Sequence, residues 1–253
     1  MTKDRLARLV VFSGAGLSAD SGISTFRDTD GLWENHSIDV VANGLTWKRN
    51  FDTVRKFYNE RRADLANVVP NAAHRQIADW QKRFDTVILT QNVDDLLERA
   101  GCTDVIHLHG DLTEMRCEAC GHVWDIGYAQ WSETDRCPKC NSLKGVRPKV
   151  VFFNEAAPLY SKMYKTLREI QAHDTIVVIG TSGQVINLDA FMCDAPCMKI
   201  LNNLVSSQYI NESYYDHVFY GKASDMCSQI NRVINTRMIR LDTTYKTSTE
   251  MKT

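Results

Sequence analysis

Four of the eight cysteines fall into two pairs, Cys117-x2-Cys120 and Cys137-x2-Cys140, with sixteen residues between the pairs. Each Cys-x-x-Cys turns as a knuckle offering two thiolates, and two knuckles complete the soft ligand set that zinc prefers. Four thiolates leave no open coordination position, so the expected zinc is structural rather than catalytic. A zinc ribbon can also serve nucleic acid, but that needs interleaved Lys, Arg and aromatic side chains. The segment between the pairs instead carries Asp125, Glu133 and Asp135 against Arg136. Cys102, Cys193, Cys197 and Cys227 lack such spacing and read as small buried residues.

A second chemical motif lies near the start. Gly14-Ala15-Gly16-Leu17-Ser18-Ala19-Asp20-Ser21-Gly22 follows the apolar run Leu9–Phe12. Glycines just after a strand let the backbone approach a ligand, and the N-terminus of a following helix attracts phosphate. A dinucleotide-binding turn wants a third glycine three positions after the second, where this chain has Ala19. Alone, the motif suits a plain tight turn as well as a phosphate cradle. His109 follows a β-branched run and precedes Gly110, which puts it at a strand end, where loops carry function. His107 competes with it but belongs to the strand itself. Imidazole titrates near neutrality and can accept a hydroxyl proton. Asn92 and Asp94 follow the run Thr86–Leu89 and supply an amide and a carboxylate. They also suit the cap of a helix beginning near Asp95.

The elements that must hold these groups alternate short β-branched runs with longer helical stretches over 253 residues. This is the pattern of an α/β protein, a parallel sheet covered by helices. Expected buried strands are Leu9–Phe12, Thr86–Leu89, Val105–His107, Lys149–Phe152, Thr175–Ile179 and Met198–Leu201. A helical region from about Thr46 to Phe84 breaks at Pro70, with a new helix starting at Asn71. Residues 114–146 hold few large apolar side chains and cannot build a core unaided. The polar stretch from Leu241 to Thr253 is expected to fray.

Lys plus Arg total 30 against 31 Asp plus Glu, a net charge of −1, so no overall positive field favours a nucleic-acid partner. No apolar run approaches the roughly 20 residues needed to span a bilayer. The run Leu9–Phe12 is too short for a signal-peptide core, so the expected location is cytoplasmic.

The longer string Gly14-Ala-Gly-Leu-Ser-Ala-Asp-Ser-Gly-Ile-Ser-Thr-Phe-Arg27, followed by Asp30-Gly-Leu-Trp33, resembles the opening motif of the sirtuins, NAD-dependent protein-lysine deacylases. Similar motifs follow in the family's order: Thr90-Gln91-Asn92-Val93-Asp94, His107-Leu108-His109-Gly110, the cysteine pairs, Arg147-Pro148 with Val150-Val151-Phe152-Phe153, and Gly180-Thr181-Ser182. The resemblance runs from Val10 to about Ala223. It implies a Rossmann-like NAD-binding domain over residues 1–113 and 147–240, with a helical insertion at about 34–70. A zinc-binding module at 114–146 and a polar tail at 241–253 complete the implied organisation.

The resemblance also implies roles. NAD is the co-substrate, acylated-lysine proteins are the partners, and the one zinc is structural. Gly14, Ala15, Gly16, Ser18, Ser21, Gly22, Ile23 and Trp33 belong to the NAD site. Phe26 and Arg27 shield the reactive intermediate and neutralise pyrophosphate. Asn92 and Asp94 hold the ribose and the nicotinamide carboxamide, with Gln91 and Val93 beside them. Gly180, Thr181 and Ser182 meet phosphate or ribose, Asn202 the adenosine ribose, and Ala223 the adenine. His109 is the general base that deprotonates a ribose hydroxyl after the acyl oxygen has displaced nicotinamide. Val151 and Phe153 lie on the substrate strand. Tyr58 and Arg61, three apart on a helix, match the acyl-pocket pair of the branch that removes succinyl and malonyl groups.

Three places depart from the family pattern. Ser24 stands in place of proline, Asn154 in place of the glycine before Glu155, and Asn187-Leu188 in place of a proline-alanine pair. Asn154 adds a side chain where substrate backbone is expected to pair. A competing activity on the same pocket is NAD glycohydrolysis or mono-ADP-ribosyl transfer; a non-enzymatic zinc module would need none of His109, Asn92 and Asp94.

Overall fold

The computed structural model describes residues 6–24, 32–33 and 36–250. Strand β1 (Arg8–Ser13) lies within a sheet of six parallel strands, and its apolar residues are all buried. Its side chains alternate between two cores. Leu9 and Val11 enter one, Val10 and Phe12 the other. A strand covered on both faces has no side left for polar residues, which is why such runs are continuously apolar.

After β2 (Leu32–Trp33), β3 (His36–Ser37) and α1 (Ile38–Val41) come the longer helices α2 (Phe51–Asn67) and α3 (Ala72–Arg83). Asn71 caps α3, its side chain accepting from the N–H groups of Ala73 and His74 while His74 Nδ1 accepts from Asn71 N–H. Strand β4 (Asp85–Thr90), α4 (Leu96–Arg99) and β5 (Ile106–His107) follow. The chain then leaves the main sheet for β6 (Gly110–Cys117), β7 (Val123–Asp125) and β8 (Val146–Val150), an antiparallel sheet in the order β7-β6-β8. It returns through α5 (Tyr160–Arg168), β9 (Thr175–Ile179), α6 (Asp189–Met192), β10 (Met198–Asn203), β11 (His217–Tyr220) and α7 (Ala223–Glu250).

The main sheet runs β11-β10-β9-β1-β4-β5. The strand order therefore reverses between β1 and β9, the point at which open α/β sheets bind ligands beyond the carboxyl ends of their strands. Helices α3 and α7 cover one face through Ile77, Trp80, Ile230 and Ile234, and α5 covers the other through Met163 and Leu167. A third core joins Val54, Phe57, Tyr58 and Leu65 of α2 to Leu112, Met115, Trp131, Cys137 and Phe152. The helical insertion and the cysteine-bearing sheet are thus packed as one body. No helix among the described residues is long and apolar enough to cross a membrane.

Three elements differ from expectation. Lys149–Phe152 is not a strand of the main sheet: β8 ends at Val150 and pairs antiparallel with β6. Val150 and Phe152 are buried with α2 and Trp47 rather than between helical layers, while Val151 is half-buried. Strand β11 goes unrecognised in the sequence because it is short and its outer residues His217 and Tyr220 are exposed, leaving no continuous apolar run. The stretch expected to fray continues α7 through Glu250, with no glycine or proline to stop it.

Candidate active site

The turns after β1 and β9 meet at the switch point. Gly14 N–H donates to Ile179 O at 3.0 Å, and Gly16 N–H to Gly180 O at 2.8 Å. A Cβ on Gly14 would sit 2.8 Å from Gly180 O, and one on Gly16 2.7 Å from Gly180 Cα. Gly180 itself has φ +65, a left-handed backbone that suits glycine. The first two glycines are therefore required by the neighbouring turn as much as by any ligand. Among the described residues, no full helix directly follows them. Ala15–Leu17 and Ala19–Ser21 are single 3-10 turns, which corrects the expectation of a helix N-terminus there.

Ser18, between those turns, is fully buried and does not line the cavity, but it organises residues that do. Its hydroxyl donates to Asp94 Oδ2 at 2.8 Å and accepts from Asn92 Nδ2 at 3.0 Å. His74 Nε2 lies 3.3 Å from the same oxygen. Because His74 Nδ1 already accepts from Asn71 N–H, the ring's proton sits on Nε2 and points at Ser18. Burial, with Arg75 nearby, lowers the pKa of His74 to about 4 and keeps it neutral. Burial also pushes Asp94 up to about 6, against the hydrogen bonds from Ser18 and Leu96 that favour its charge. Asp94, not Asp95, accepts from Leu96 N–H, so part of its expected capping role is present at the start of α4.

His109 stands just before Gly110, whose φ of +87 and close approach to Lys149 O exclude any side chain there. Its Nδ1 is 3.1 Å from Gln91 O, a carbonyl that can only accept, so Nδ1 carries the proton. That leaves Nε2 as the basic atom, 2.8 Å from the Tyr160 hydroxyl. Burial lowers the pKa of His109, with the Gln91 bond working against the shift, and burial raises that of Tyr160. Gln91 is fixed in turn by Nε2–H donation to Thr181 Oγ1 at 2.9 Å.

These groups open onto one cavity of about 1160 Å³. Gly14, Ala15, Gly16, Gly22, Ile23, Gln91, Asn92, Val93, Asp94, His109, Val151, Phe153, Gly180, Thr181, Ser182, Asn202, Ala223 and Arg61 all line it. Asn202 Nδ2 donates to Phe219 O and Gly221 O, which leaves its Oδ1 as the group available to a ligand. Ser21 is not brought to the cavity. Nor is Tyr58, which is fully buried behind the wall with its ring stacked on Phe152 at 5.8 Å. Tyr58 and Arg61 share a helix, but only Arg61 faces the cavity; Tyr58 is turned into the third core. Phe26 and Arg27 lie outside the described residues, and Trp33 is described only through the backbone of β2.

Asn154 explains its own departure from glycine. Its φ is +66, a conformation in which asparagine is the best tolerated residue after glycine. Its Nδ2 reaches Asn43 Oδ1 at 3.2 Å. The preceding Phe153 is bridged to the loop at Asn43, donating to Ala42 O and accepting from Gly44 N–H.

The cysteine pairs converge. Their four sulfurs lie within 4.8 Å of one another, with Cys117–Cys140 and Cys120–Cys137 both at 3.7 Å. Four thiolates at about 2.3 Å from a tetrahedral zinc stand about 3.8 Å apart, so the set fits that ion. The cluster is tied to α2. Asn59 accepts from Trp131 N–H and donates to Trp131 O at 2.8 and 2.9 Å, and Arg62 Nε donates to Ala129 O at 3.0 Å.

Sequence reasoning passes over four residues. His74 and Tyr160 are single side chains whose partners lie far away in sequence. Arg147 and Glu155 fall within quoted motifs without an assigned part. The buried Arg147 guanidinium grips Glu155 at 2.6 and 2.7 Å and Glu118 at 3.1 Å, and Glu155 accepts from Phe152 N–H. It joins the cysteine knuckle to the segment that carries Val151 and Phe153.

Comparison with known proteins agrees with this geometry. The Sir2 family pattern matches residues 14–187. An NAD-dependent protein deacylase from Helicobacter hepaticus is 40% identical over 249 residues, covering 90% of this chain and 97% of its own. The NAD-dependent protein deacylase SIR2rp3 of Leishmania major is 39% identical and covers 86% of this chain and 91% of its own. The crystal structure of a Sir2 homologue in complex with NAD superposes with a TM-score of 0.77 at 32% identity, covering 91% of this chain and 90% of that one. With a switch-point cavity, a matching family pattern and full-length relatives, this chain belongs to the Sir2 family.

Proposed function

We propose that the cavity removes acyl groups from protein lysines with NAD as co-substrate, and that it accepts succinyl as well as acetyl groups. The observation that carries this reading is the meeting of a neutral, oriented imidazole with the two glycine turns and the Ser18–Asn92–Asp94 cluster in one cavity. The NAD-dependent deacylase activity of the relatives and the NAD bound to the structural neighbour support it.

Bound NAD supplies a ribose carbon whose nicotinamide can leave, giving the acyl oxygen an electrophile. The protein's own groups do the rest. The Gly14, Gly16 and Gly180 turns allow backbone to approach the pyrophosphate closely. Thr181 and Ser182 meet phosphate or ribose, Asn202 offers Oδ1 to the adenosine ribose, and Ala223 lies toward the adenine. Asn92 and Asp94, held by Ser18, orient the nicotinamide ribose and carboxamide, which is catalysis by positioning. His109 takes a ribose hydroxyl proton at Nε2, and Tyr160 must first release that atom. The segment through Val151 and Phe153 receives the peptide.

Arg61 recognises the carboxylate of an acidic acyl group, exchanging it for Asp64, which Nη2 now holds at 2.8 Å. The four cysteines hold one structural zinc. Reduced thiolates of this kind fit a reducing compartment, consistent with a cytoplasmic enzyme. Replacing His109 with alanine tests the assignment. Loss of a general base costs about 10²–10⁴-fold in turnover, and near-normal deacylation by a folded His109→Ala protein contradicts it.

A further inference from the structure

His107, two residues before the proposed base, also faces a backbone carbonyl at Nδ1 but differs at Nε2. Its Nδ1 lies 2.8 Å from Asn92 O and its Nε2 2.8 Å from Glu98 Oε1. A carbonyl oxygen and a carboxylate oxygen can only accept, so both ring nitrogens must donate and the ring is an imidazolium. His107 sits on β5, Glu98 on α4, and Asn92 on the turn between β4 and α4. The ring thus closes a triangle across the turn that presents Asn92 and Asp94 to the cavity. It does not itself line that cavity. We propose that His107 and Glu98 are a positioning pair, a charged clamp that fixes the Asn92 backbone and, through it, the Asn92 amide and the Asp94 carboxylate. The proposal rests on the reading of those two groups as NAD contacts.

A neutral imidazole has one N–H and can satisfy only one of the two acceptors, turning a lone pair toward the other. The clamp is therefore whole only while the ring is charged. The charged groups facing it are Glu98 on α4, Asp94 on the turn, and Asp111 on β6, all acidic. Burial opposes the ring's charge, but Glu98, the Asn92 carbonyl and Asp111 outweigh it and raise the pKa to about 9. The clamp holds at neutral pH and opens as pH rises through that value.

Three variants separate positioning from mere stapling of α4 to β5. His107→Asn keeps a donor near the place of Nδ1 but cannot titrate; His107→Leu loses both donors; Glu98→Gln keeps an acceptor and removes the charge. Each is checked for folding by circular dichroism and assayed for kcat and for the KM of NAD with an acetylated peptide, from about pH 6.5 to about pH 10. His107→Leu raises the KM for NAD about tenfold or more, a larger change than in kcat. Glu98→Gln moves the alkaline limb down by about one pH unit or more, and His107→Asn abolishes it. An NAD KM and an alkaline limb unchanged in all three folded variants overturn the positioning role. The nitrogen-15 shifts of His107 decide the clamp without any activity. A doubly protonated ring at about pH 7.5 is expected, and a neutral ring overturns the proposal. A wild-type protein that fails to bind NAD instead contradicts the parent reading, while the ring's protonation state still answers for the clamp.

Discussion

The hydroxyl of Ser18 lies 2.8 Å from Asp94 Oδ2 and donates its only proton to it. Two donors, Asn92 Nδ2 and His74 Nε2, point at the same oxygen, so the direction of that proton is determined by its surroundings. Asp94 is consequently held as an acceptor in a buried site that penalises its charge.

That penalty is a stability statement. Asp94 titrates near 6 in the folded protein against an ordinary 3.8, so the cost of its charge develops as pH rises between those values and is complete above them. Asp94→Asn removes the titration, so its stability relative to the wild type is expected to rise by about 3 kcal/mol from acid to neutral pH, while deacylation falls strongly. The gain disappears as pH falls below about 4. Urea melts of both proteins across that pH range check this; a stability difference that does not change with pH contradicts it.

Ser18→Ala leaves the His74 and Asn92 donors without their acceptor and Asp94 Oδ2 without its donor. Each orphaned buried group costs about 1–3 kcal/mol. A drop in melting temperature is expected together with a KM for NAD raised about tenfold or more. An unchanged KM shows that Ser18 does not hold the NAD-facing groups in place.

How much of this could be read in the sequence depended on where each residue's partners lie. The glycine turn, His109 and the cysteine pairs announce themselves through local spacing, because a tight turn and a metal knuckle are made from neighbouring residues. Ser18 was legible as a motif member but not as the centre of a cluster, since its partners are 56 to 76 positions away. Tyr160 was hidden for the same reason, its partner His109 lying 51 positions away. Tyr58 shows the converse failure: helical spacing places it on Arg61's side, but the width of a helix face allows one to reach the cavity while the other is buried on Phe152. The small sheet was misread at Lys149–Phe152 because a short apolar run does not say which partner buries it.

Zinc removal should reach beyond the module. Cys117, Cys137 and Trp131 share a core with α2, and Asn59 holds Trp131 by two hydrogen bonds. Binding of a structural zinc contributes about 10 kcal/mol or more in small modules. Cys117→Ser is therefore expected to release the metal and unfold this region, with activity lost alongside. Metal analysis of protein purified without chelator should find one zinc per chain, and its absence contradicts the ligand assignment.

Arg61 tests the acyl preference. A succinyl group ends in a carboxylate that is costly to bury unless paired, and a guanidinium holds it by parallel hydrogen bonds. Loss of such a bond costs roughly 1.5–3 kcal/mol, about tenfold to a hundredfold in kcat/KM. Arg61→Met should lose that much on a succinylated peptide and far less on an acetylated one. Equal loss on both, or none on either, removes the succinyl reading and leaves Arg61 with a structural role.

The most direct measurement is mass spectrometry of the products formed from NAD with an acetylated and with a succinylated peptide. A deacylase built on this cavity must yield free lysine peptide, nicotinamide and O-acyl-ADP-ribose in equal amounts. Free ADP-ribose with the acyl peptide untouched contradicts the account and makes the same cavity that of an NAD glycohydrolase.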